Sequence, residues 1–159
     1  MWIIQSDYQN KSEYFKTLEK ELFSLIEGEK NLIANLANIS SWVYHSFPDL
    51  NWCGFYLWDD KDQELVLGPF QGMPACIRIK SDRGVCGAAF REQRTFNIDD
   101  VNQFAGHIAC DSASRSELVI AFSQGVFDLD SPNLARFSEQ DANELTGIMT
   151  RVFTQLQIQ

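Results

Sequence analysis

Hydrophobic residues at the start of the chain recur every three or four positions, which is the spacing of an amphipathic helix. The first such segment covers residues 12–27 and is followed by Gly28, a residue type that often ends a helix. The second covers residues 29–45 and precedes Pro48. The chain is therefore predicted to begin with a helical hairpin, whose buried positions are Tyr14, Leu18, Leu22, Leu25, Ile26, Leu32, Ile33, Leu36, Ile39 and Val43.

In the middle of the chain the pattern changes to short runs of aromatic and β-branched residues, separated by Asp, Lys, Gly and Pro. Such runs are typical of strands. Strands are predicted at residues 52–58, 64–70, 75–79 and 95–98. The segment 84–91 contains two glycines and predicts a short helix. This region is thus predicted to form a sheet with one helix inserted.

Two further apolar runs, at residues 118–122 and 126–130, flank a short segment that ends in Gly125. This pattern predicts a β-hairpin. We expect a three-residue loop at 123–125, with Gly125 in the left-handed position of a G1 bulge.

A final helix is predicted after Ser138, whose hydroxyl can cap it together with Asp141 three residues further on. Helices at both ends of an antiparallel sheet give an α+β fold. The chain has no internal repeat, low-complexity segment or linker, so residues 1–159 are predicted to form a single domain. The inward positions of the last helix are Leu145, Ile148, Met149, Val152, Phe153 and Leu156.

Composition narrows the range of partners. The chain has 159 residues, is 45% hydrophobic and carries a formal net charge of −9. Its apolar runs are far shorter than the ~20 residues that cross a bilayer, and its start lacks the features of a secretion signal. We therefore expect a cytoplasmic protein with no membrane partner. The acidic balance and the scattered basic residues also oppose nucleic-acid binding.

Four cysteines, at positions 53, 76, 86 and 110, are the candidate chemical groups. In a cytosolic chain they favour metal binding or redox chemistry over a disulfide framework. Structural zinc is disfavoured, because no Cys-x-x-Cys pair occurs and only His107 and Cys110 have a suggestive spacing. We expect no metal. Redox chemistry and simple burial stay open, and for Cys53, within an aromatic strand, burial is preferred.

Several segments resemble, in the same order, the signature of the free methionine-R-sulfoxide reductases, which are single GAF domains. The similarity covers roughly residue 31 to the C-terminus, and several long motifs in order are far more specific than one short pattern. It implies a GAF-like fold, with a central antiparallel sheet and with the N-terminal helical hairpin and C-terminal helix packed on one side. The segments are GHIACDSASRSELV at 106–119, NWCGFYL at 51–57, LGPFQG at 67–72, ACIRI at 75–79 and RGVCG at 83–87.

The resemblance implies reduction of free L-methionine-(R)-S-oxide to L-methionine. Cys110 matches the nucleophile, which would be left as a sulfenic acid. Cys76 matches the usual resolving cysteine and Cys86 the third cysteine, so a Cys76–Cys110 disulfide is expected, with exchange through either thiol possible. No bound cofactor is expected. The family implies thioredoxin as the external reductant, and we expect a monomer or homodimer.

Glu117, Asp128 and Asp130 match the acids of the family's pocket and would bind the ammonium group of the free amino acid. Asp128 and Asp130 alternate along one strand and therefore share a face, which could also be a solvated face. We expect Glu117 to retain its proton and donate it to the sulfoxide oxygen. Trp52 and Tyr56, also on one face, match the aromatic wall around the S-methyl group. Plain core packing is the alternative, above all for Tyr56.

The hairpin at 118–130 departs from the family, because its strands turn back sooner. If Phe122 faces Val126, counting outward places Glu117 opposite Ser131. We expect that this shortened hairpin loses its tip and keeps its site.

The alternative function is a non-catalytic GAF-type sensor or binding module for a small molecule, since a fold alone does not fix a function. Three matched cysteines favour the enzyme, because a binding module has no need of them. A metal-binding protein is a third hypothesis, and it requires the sulfur atoms to converge at tetrahedral ligand distances.

Overall fold

The computed structural model describes residues 7–106 and 112–158. Its helices in these ranges are α1 (Lys11–Ile26), α2 (Leu32–Ser46), α3 (Gly84–Glu92) and α4 (Glu139–Leu156), with a 3₁₀ turn at Val101–Gln103. Its strands are β1 (Trp52–Asp59), β2 (Glu64–Gly72), β3 (Arg78–Lys80), β4 (Phe96–Ile98), β5 (Ser116–Phe122) and β6 (Gly125–Ser131). None of the helices in the described ranges has the length and apolar character needed to cross a membrane.

The six strands form one sheet in the order β3-β2-β1-β6-β5-β4. Every neighbouring pair is antiparallel. β1 and β6 are the two central strands of this sheet. Their side chains point alternately toward the layers that cover its two faces. The prediction of an α+β fold around an antiparallel sheet is confirmed.

The larger hydrophobic core lies between one face of the sheet and helices α1, α2 and α4. The alternation of strand side chains decides which residues enter it, because successive positions point to opposite faces. Cys53 and Phe55 of β1 and Phe127 of β6 point toward these helices and are fully buried. The helical hairpin and the C-terminal helix therefore pack on one side of the sheet, as predicted.

The opposite face of the sheet packs against α3 and forms a second, smaller core. The buried residues of α3 are small, which lets the helix lie close to the strands: Val85, Cys86, Gly87, Ala88 and Ala89. Trp52 and Tyr56 of β1 belong to this second core. The predicted site residues of the sheet thus face α3 and lie away from the three large helices.

A buried carboxylate, that of Asp141, joins the two ends of the chain. Its oxygens lie 2.8 Å from Lys11 Nζ and 3.6 Å from Arg136 Nη1. Asp141 also completes a capping box with Ser138 at the start of α4, as predicted. Burial opposes its charge, but the bonds from Lys11 and Ser138 keep the pKa of Asp141 below its usual value.

Two predicted boundaries are wrong. Helix α2 begins at Leu32 and not at residue 29, because the Asn31 side chain caps it by accepting the Ala34 N–H at 3.0 Å. Residues 75–77 do not belong to a strand, and β3 begins at Arg78. Before this point the Cys76 carbonyl accepts a hydrogen bond from the Tyr56 hydroxyl at 3.0 Å. This carbonyl is therefore bonded to a side chain and not to the backbone of a neighbouring strand.

The register predicted for the β5–β6 hairpin is wrong by one residue. The turn contains two residues and not three, because Phe122 pairs with Gly125 and not with Val126. Glu117 consequently lies opposite Asp130, and Ser131 lies opposite Ser116. Gly125 is not the left-handed residue of a bulge but a residue of β6, with a φ of 158°.

The physical reason is a close approach between β6 and β1. A Cβ built on Gly125 would lie 2.0 Å from the carbonyl oxygen of Tyr56, which is backbone and cannot rotate away. Only glycine therefore fits at this position. The glycine after the turn is therefore required, as the sequence suggests, but because of its contact with β1 and not because of the conformation of the turn.

We expect Gly125→Ala to lower the free energy of unfolding by about 3 kcal/mol, because the new methyl group must displace the backbone of β1. Gly147→Ala is the matched control. This glycine lies within α4, and its nearest neighbour is the flexible Arg151 side chain at 3.4 Å. It should stabilise the protein by roughly 0.5–1 kcal/mol. Urea unfolding followed by circular dichroism measures both, and equal effects would contradict the proposed clash.

Candidate active site

Three acidic residues converge on the face of the sheet that α3 covers. Glu117 of β5 pairs directly with Asp130 of β6. Asp128 lies two residues before Asp130 on β6, so it points to the same face of the sheet. Glu117 and Asp128 are only 6% and 5% exposed, whereas Asp130 is half-buried. The corrected register thus sets Glu117 directly against the second aspartate. Because Glu117 and Asp128 are buried and Asp130 is half-buried, these carboxyl groups do not form a solvated strand face.

Helix α3 contributes the thiol of Cys86 to this group. Its Sγ atom lies 3.4 Å from Asp128 Oδ2 and 3.8 Å from Glu117 Oε1. Cys86 is a free cysteine and is 4% exposed. The three side chains therefore form a buried cluster of acidic groups, contributed by three different elements.

Burial determines how these groups titrate. Desolvation, followed by the charges of Asp128 and Asp130, raises the pKa of Glu117 well above its usual value. Desolvation also raises the pKa of Asp128, to about 7, although hydrogen bonds from Cys86 and Glu117 act in the opposite direction. Glu117 therefore holds a proton near neutral pH and donates a hydrogen bond to Asp128. The pKa of the Cys86 thiol is raised too, chiefly by burial, so this thiol stays protonated.

One oxygen of the cluster has no donor. Within the part of the chain that the structure describes, Asp128 Oδ1 is buried and accepts no hydrogen bond. A buried acceptor without a partner is costly, and such groups are normally satisfied by a neighbour, a water or a ligand. A cationic N–H donor placed beside Asp128 would complete its coordination.

The same cluster is the one group in the described ranges whose atoms could hold a metal ion. The ligand atoms of Cys86, Glu117 and Asp128 lie within 4.8 Å of one another. A metal ion would have to displace both the thiol proton and the proton on Glu117, since these ligands bind metals in their deprotonated forms. The protonation of the cluster therefore favours an ammonium group over a metal ion as its ligand.

An aromatic wall lies beside the acids. Trp52 and Tyr56 stack with ring centroids 5.8 Å apart, and Phe70 stacks with Trp52 at a centroid distance of 5.3 Å. The indole of Trp52 also donates to the Met73 carbonyl at 3.2 Å. The wall thus supports the segment that leads to Cys76, whose carbonyl accepts the Tyr56 hydroxyl.

Phe70 is a member of this wall that the sequence reasoning missed. It pairs with Gly54 across β1 and β2, and a Cβ on Gly54 would lie 2.3 Å from Phe70 Cβ. A glycine within a strand often marks such a close approach. Gly54, which lies between Trp52 and Tyr56 on the same face of β1, was the available signal.

The cysteines separate into different settings. Cys76 is disulfide-bonded and half-buried, whereas Cys53 and Cys86 are free and buried. Cys53 lies in the larger core on the face opposite to the acids, in agreement with the packing role preferred for it. Cys110 and His107 belong to residues 107–111, outside the described residues, so their assignments stay predictions.

Known proteins resemble this chain over most of its length. No protein-family model matches the chain. The free methionine-R-sulfoxide reductase of Escherichia coli is 43% identical over 148 residues, which cover 90% of this chain and 88% of that protein. The GAF domain-containing protein A of Dictyostelium discoideum is 44% identical over 145 residues, covering 88% and 90%.

A solved structure gives the same result. The crystal structure of the free methionine-R-sulfoxide reductase of Neisseria meningitidis, in complex with its substrate, superposes with a TM-score of 0.91 at 36% identity. The match covers 99% of this chain and 96% of that one. With sequence and fold in agreement along almost the whole length, the chain belongs to the free methionine-R-sulfoxide reductases, a family built on the GAF domain.

Proposed function

We propose that this protein reduces free methionine-R-sulfoxide to methionine with Cys110 as nucleophile, Cys76 as resolving cysteine and thioredoxin as reductant. The observation that supports this proposal most directly is the buried acid cluster, in which no donor among the described residues reaches Asp128 Oδ1 and Glu117 holds a proton. A pocket of this kind offers an acceptor for a cation and an acid for an oxygen leaving group. Both are needed by a free amino acid whose sulfoxide is to be reduced.

The acids account for the choice of a free amino acid. Its ammonium group can donate charge-assisted hydrogen bonds to Asp128 and Asp130, and a methionine within a protein chain has no ammonium at that place. Binding a peptide would leave a buried carboxylate unpaired, which is heavily penalised. The wall of Trp52, Tyr56 and Phe70 supplies an apolar surface for the S-methyl group. A fixed acid on one side and a fixed wall on the other distinguish the two configurations at sulfur.

The reaction consumes two electrons and one oxygen atom is transferred. The Cys110 thiolate attacks the sulfoxide sulfur while Glu117 gives its proton to the sulfoxide oxygen. The hydroxyl group then moves from the substrate sulfur to the Cys110 sulfur as the bond between the two sulfurs breaks, which leaves Cys110 as a sulfenic acid and releases methionine. The Cys76 thiol then attacks the Cys110 sulfur, and water departs as the disulfide forms. Cys110 is oxidised by two electrons and the sulfoxide is reduced by two, so the step balances.

Regeneration requires an external dithiol. Cys76 is disulfide-bonded while Cys53 and Cys86 are free, which supports Cys110 as its partner. Cys76 is half-buried and flanked by the exposed side chains of Met73 and Ile77, so a second protein can approach it. Thioredoxin would open the disulfide by thiol exchange. This chemistry suits the reducing cytoplasm and needs no bound cofactor.

We expect turnover of free methionine-R-sulfoxide and no turnover of the S isomer. The measurement is NADPH oxidation in the presence of thioredoxin and thioredoxin reductase, with each isomer supplied separately. A methionine sulfoxide blocked at its amino group by acetylation is the matched control and should react at least about tenfold more slowly, because it cannot donate to Asp128 as a cation. Turnover of the S isomer, or equal rates for the blocked compound, would contradict the proposal. Binding of the R isomer without turnover would favour a sensor.

A further inference from the structure

The environment of the Cys86 thiol is unfavourable for redox chemistry. It is buried against two carboxyl groups, 3.4 Å from Asp128 and 3.8 Å from Glu117. Negative charge at that place opposes formation of a thiolate, which is the form that attacks sulfur. Cys86 is moreover a free thiol in the same structure in which Cys76 is disulfide-bonded. The contacts of Cys86 are those of a hydrogen-bond donor.

We propose that Cys86 is a positioning residue for substrate binding, whose thiol donates a hydrogen bond to Asp128 and leaves the other oxygen of that carboxylate directed at the substrate ammonium. This inference rests on the proposed function. It replaces the role of a third redox thiol that the family resemblance implied for Cys86. It deepens the description of the same pocket by adding a neutral donor to its acids.

The geometry selects one acceptor. A thiol carries a single hydrogen, and the nearer oxygen is Asp128 Oδ2. Glu117, which holds its proton, is hydrogen-bonded to Asp128 as well. Asp128 therefore receives hydrogen bonds from α3 and from β5, while its Oδ1 atom has no partner in residues 7–106 and 112–158. Two neutral donors on a carboxylate stabilise its charged form, which is the form that binds an ammonium group.

The surroundings of Asp128 make these donors important. The titratable groups facing it are Cys86 from α3, Glu117 from β5 and Tyr56 from β1, with Asp130 on its own strand. All of them are acidic or neutral, so none of these groups assists its ionisation by positive charge. Hydrogen bonds are what these neighbours provide to offset the burial of Asp128.

The test compares Cys86→Ala with Cys86→Ser. Removing the donor is expected to raise the KM for free methionine-R-sulfoxide about tenfold at pH 7 and to leave kcat within about twofold. The acid limb of the kcat/KM profile should move to higher pH, because Asp128 without this donor takes up a proton more readily. Serine keeps an O–H donor, so Cys86→Ser should restore both the KM and the position of the limb. Cys53→Ala, which alters the other free thiol, should match the wild type.

Distinct results would overturn the inference. Loss of turnover in Cys86→Ser would identify a redox thiol, since a hydroxyl cannot exchange with a disulfide. An unchanged KM in Cys86→Ala, or an equal rise in both variants without movement of the acid limb, would leave no positioning role. An inactive wild type would instead contradict the proposed function. In that case the affinity for methionine sulfoxide, followed by tryptophan fluorescence, still tests the contact, because Trp52 lines the pocket.

Discussion

Cys110→Ser is expected to abolish the reduction of free methionine-R-sulfoxide, lowering kcat by a factor of about 10³ or more. A serine hydroxyl is a poor nucleophile toward sulfur and cannot form a disulfide with Cys76. The acid cluster and the aromatic wall belong to other elements and do not depend on this thiol. Binding of the substrate should therefore survive while the chemistry stops.

Thiol counting gives the sharpest readout. The reduced wild-type protein should lose two thiols per molecule when it is mixed with the R isomer in the absence of thioredoxin, and one equivalent of methionine should be released. Cys110→Ser should lose none. Cys53→Ala is the matched control, because it removes a buried core thiol on the opposite face of the sheet and should retain full turnover. Sustained turnover in Cys110→Ser would assign the nucleophile to another cysteine.

Local patterns were sufficient to predict most of the fold. Helical spacing predicted the large helices, and alternation predicted that Trp52 and Tyr56 share a face of the sheet, as the structure shows. Such patterns succeed because they report which side of an element is buried, and burial drives both helix and strand formation. The capping box at Ser138 is equally local, since both partners lie within one turn.

Features that depend on distant contacts could not be derived from local patterns. The hairpin register failed because the requirement for glycine at position 125 arises from the Tyr56 carbonyl on another strand. The predicted start of the third strand was wrong for a related reason, since the Tyr56 hydroxyl binds the Cys76 carbonyl. In both cases β1 determines the conformation of a segment that lies far from it in the sequence.

The candidate site shows the same division. Alternation predicted that Asp128 and Asp130 share a face, and the family resemblance connected them with Glu117. The sequence could not show that α3 brings Cys86 within 3.4 Å of Asp128, because that contact depends on how closely a helix of small residues lies on the sheet. The assignment of the proton to Glu117 likewise needed the burial of each carboxyl group and the bonds between them.

Glu117→Gln is expected to lower kcat by a factor of about 10²–10³ while changing the KM little, because general-acid catalysis contributes about that much. A glutamine side chain is nearly the same size and its amide still donates to Asp128, so substrate binding is preserved. It cannot deliver a proton to the leaving oxygen. Steady-state kinetics with the R isomer measures the split, and Glu144→Gln, an exposed site on α4, is the matched control.

The same variant should change how stability depends on pH. The pKa of Glu117 is raised in the folded protein, so the folded state keeps a proton that the unfolded state gives up at lower pH. Its contribution to stability is therefore complete below the unfolded pKa and is lost as the pH rises through the folded pKa. Relative to Glu117→Gln, the wild type should lose free energy of unfolding as the pH rises above about 4. A parallel pH dependence in urea unfolding would mean that Glu117 is ionised in the folded protein, and the kinetic effect would then need a different acid.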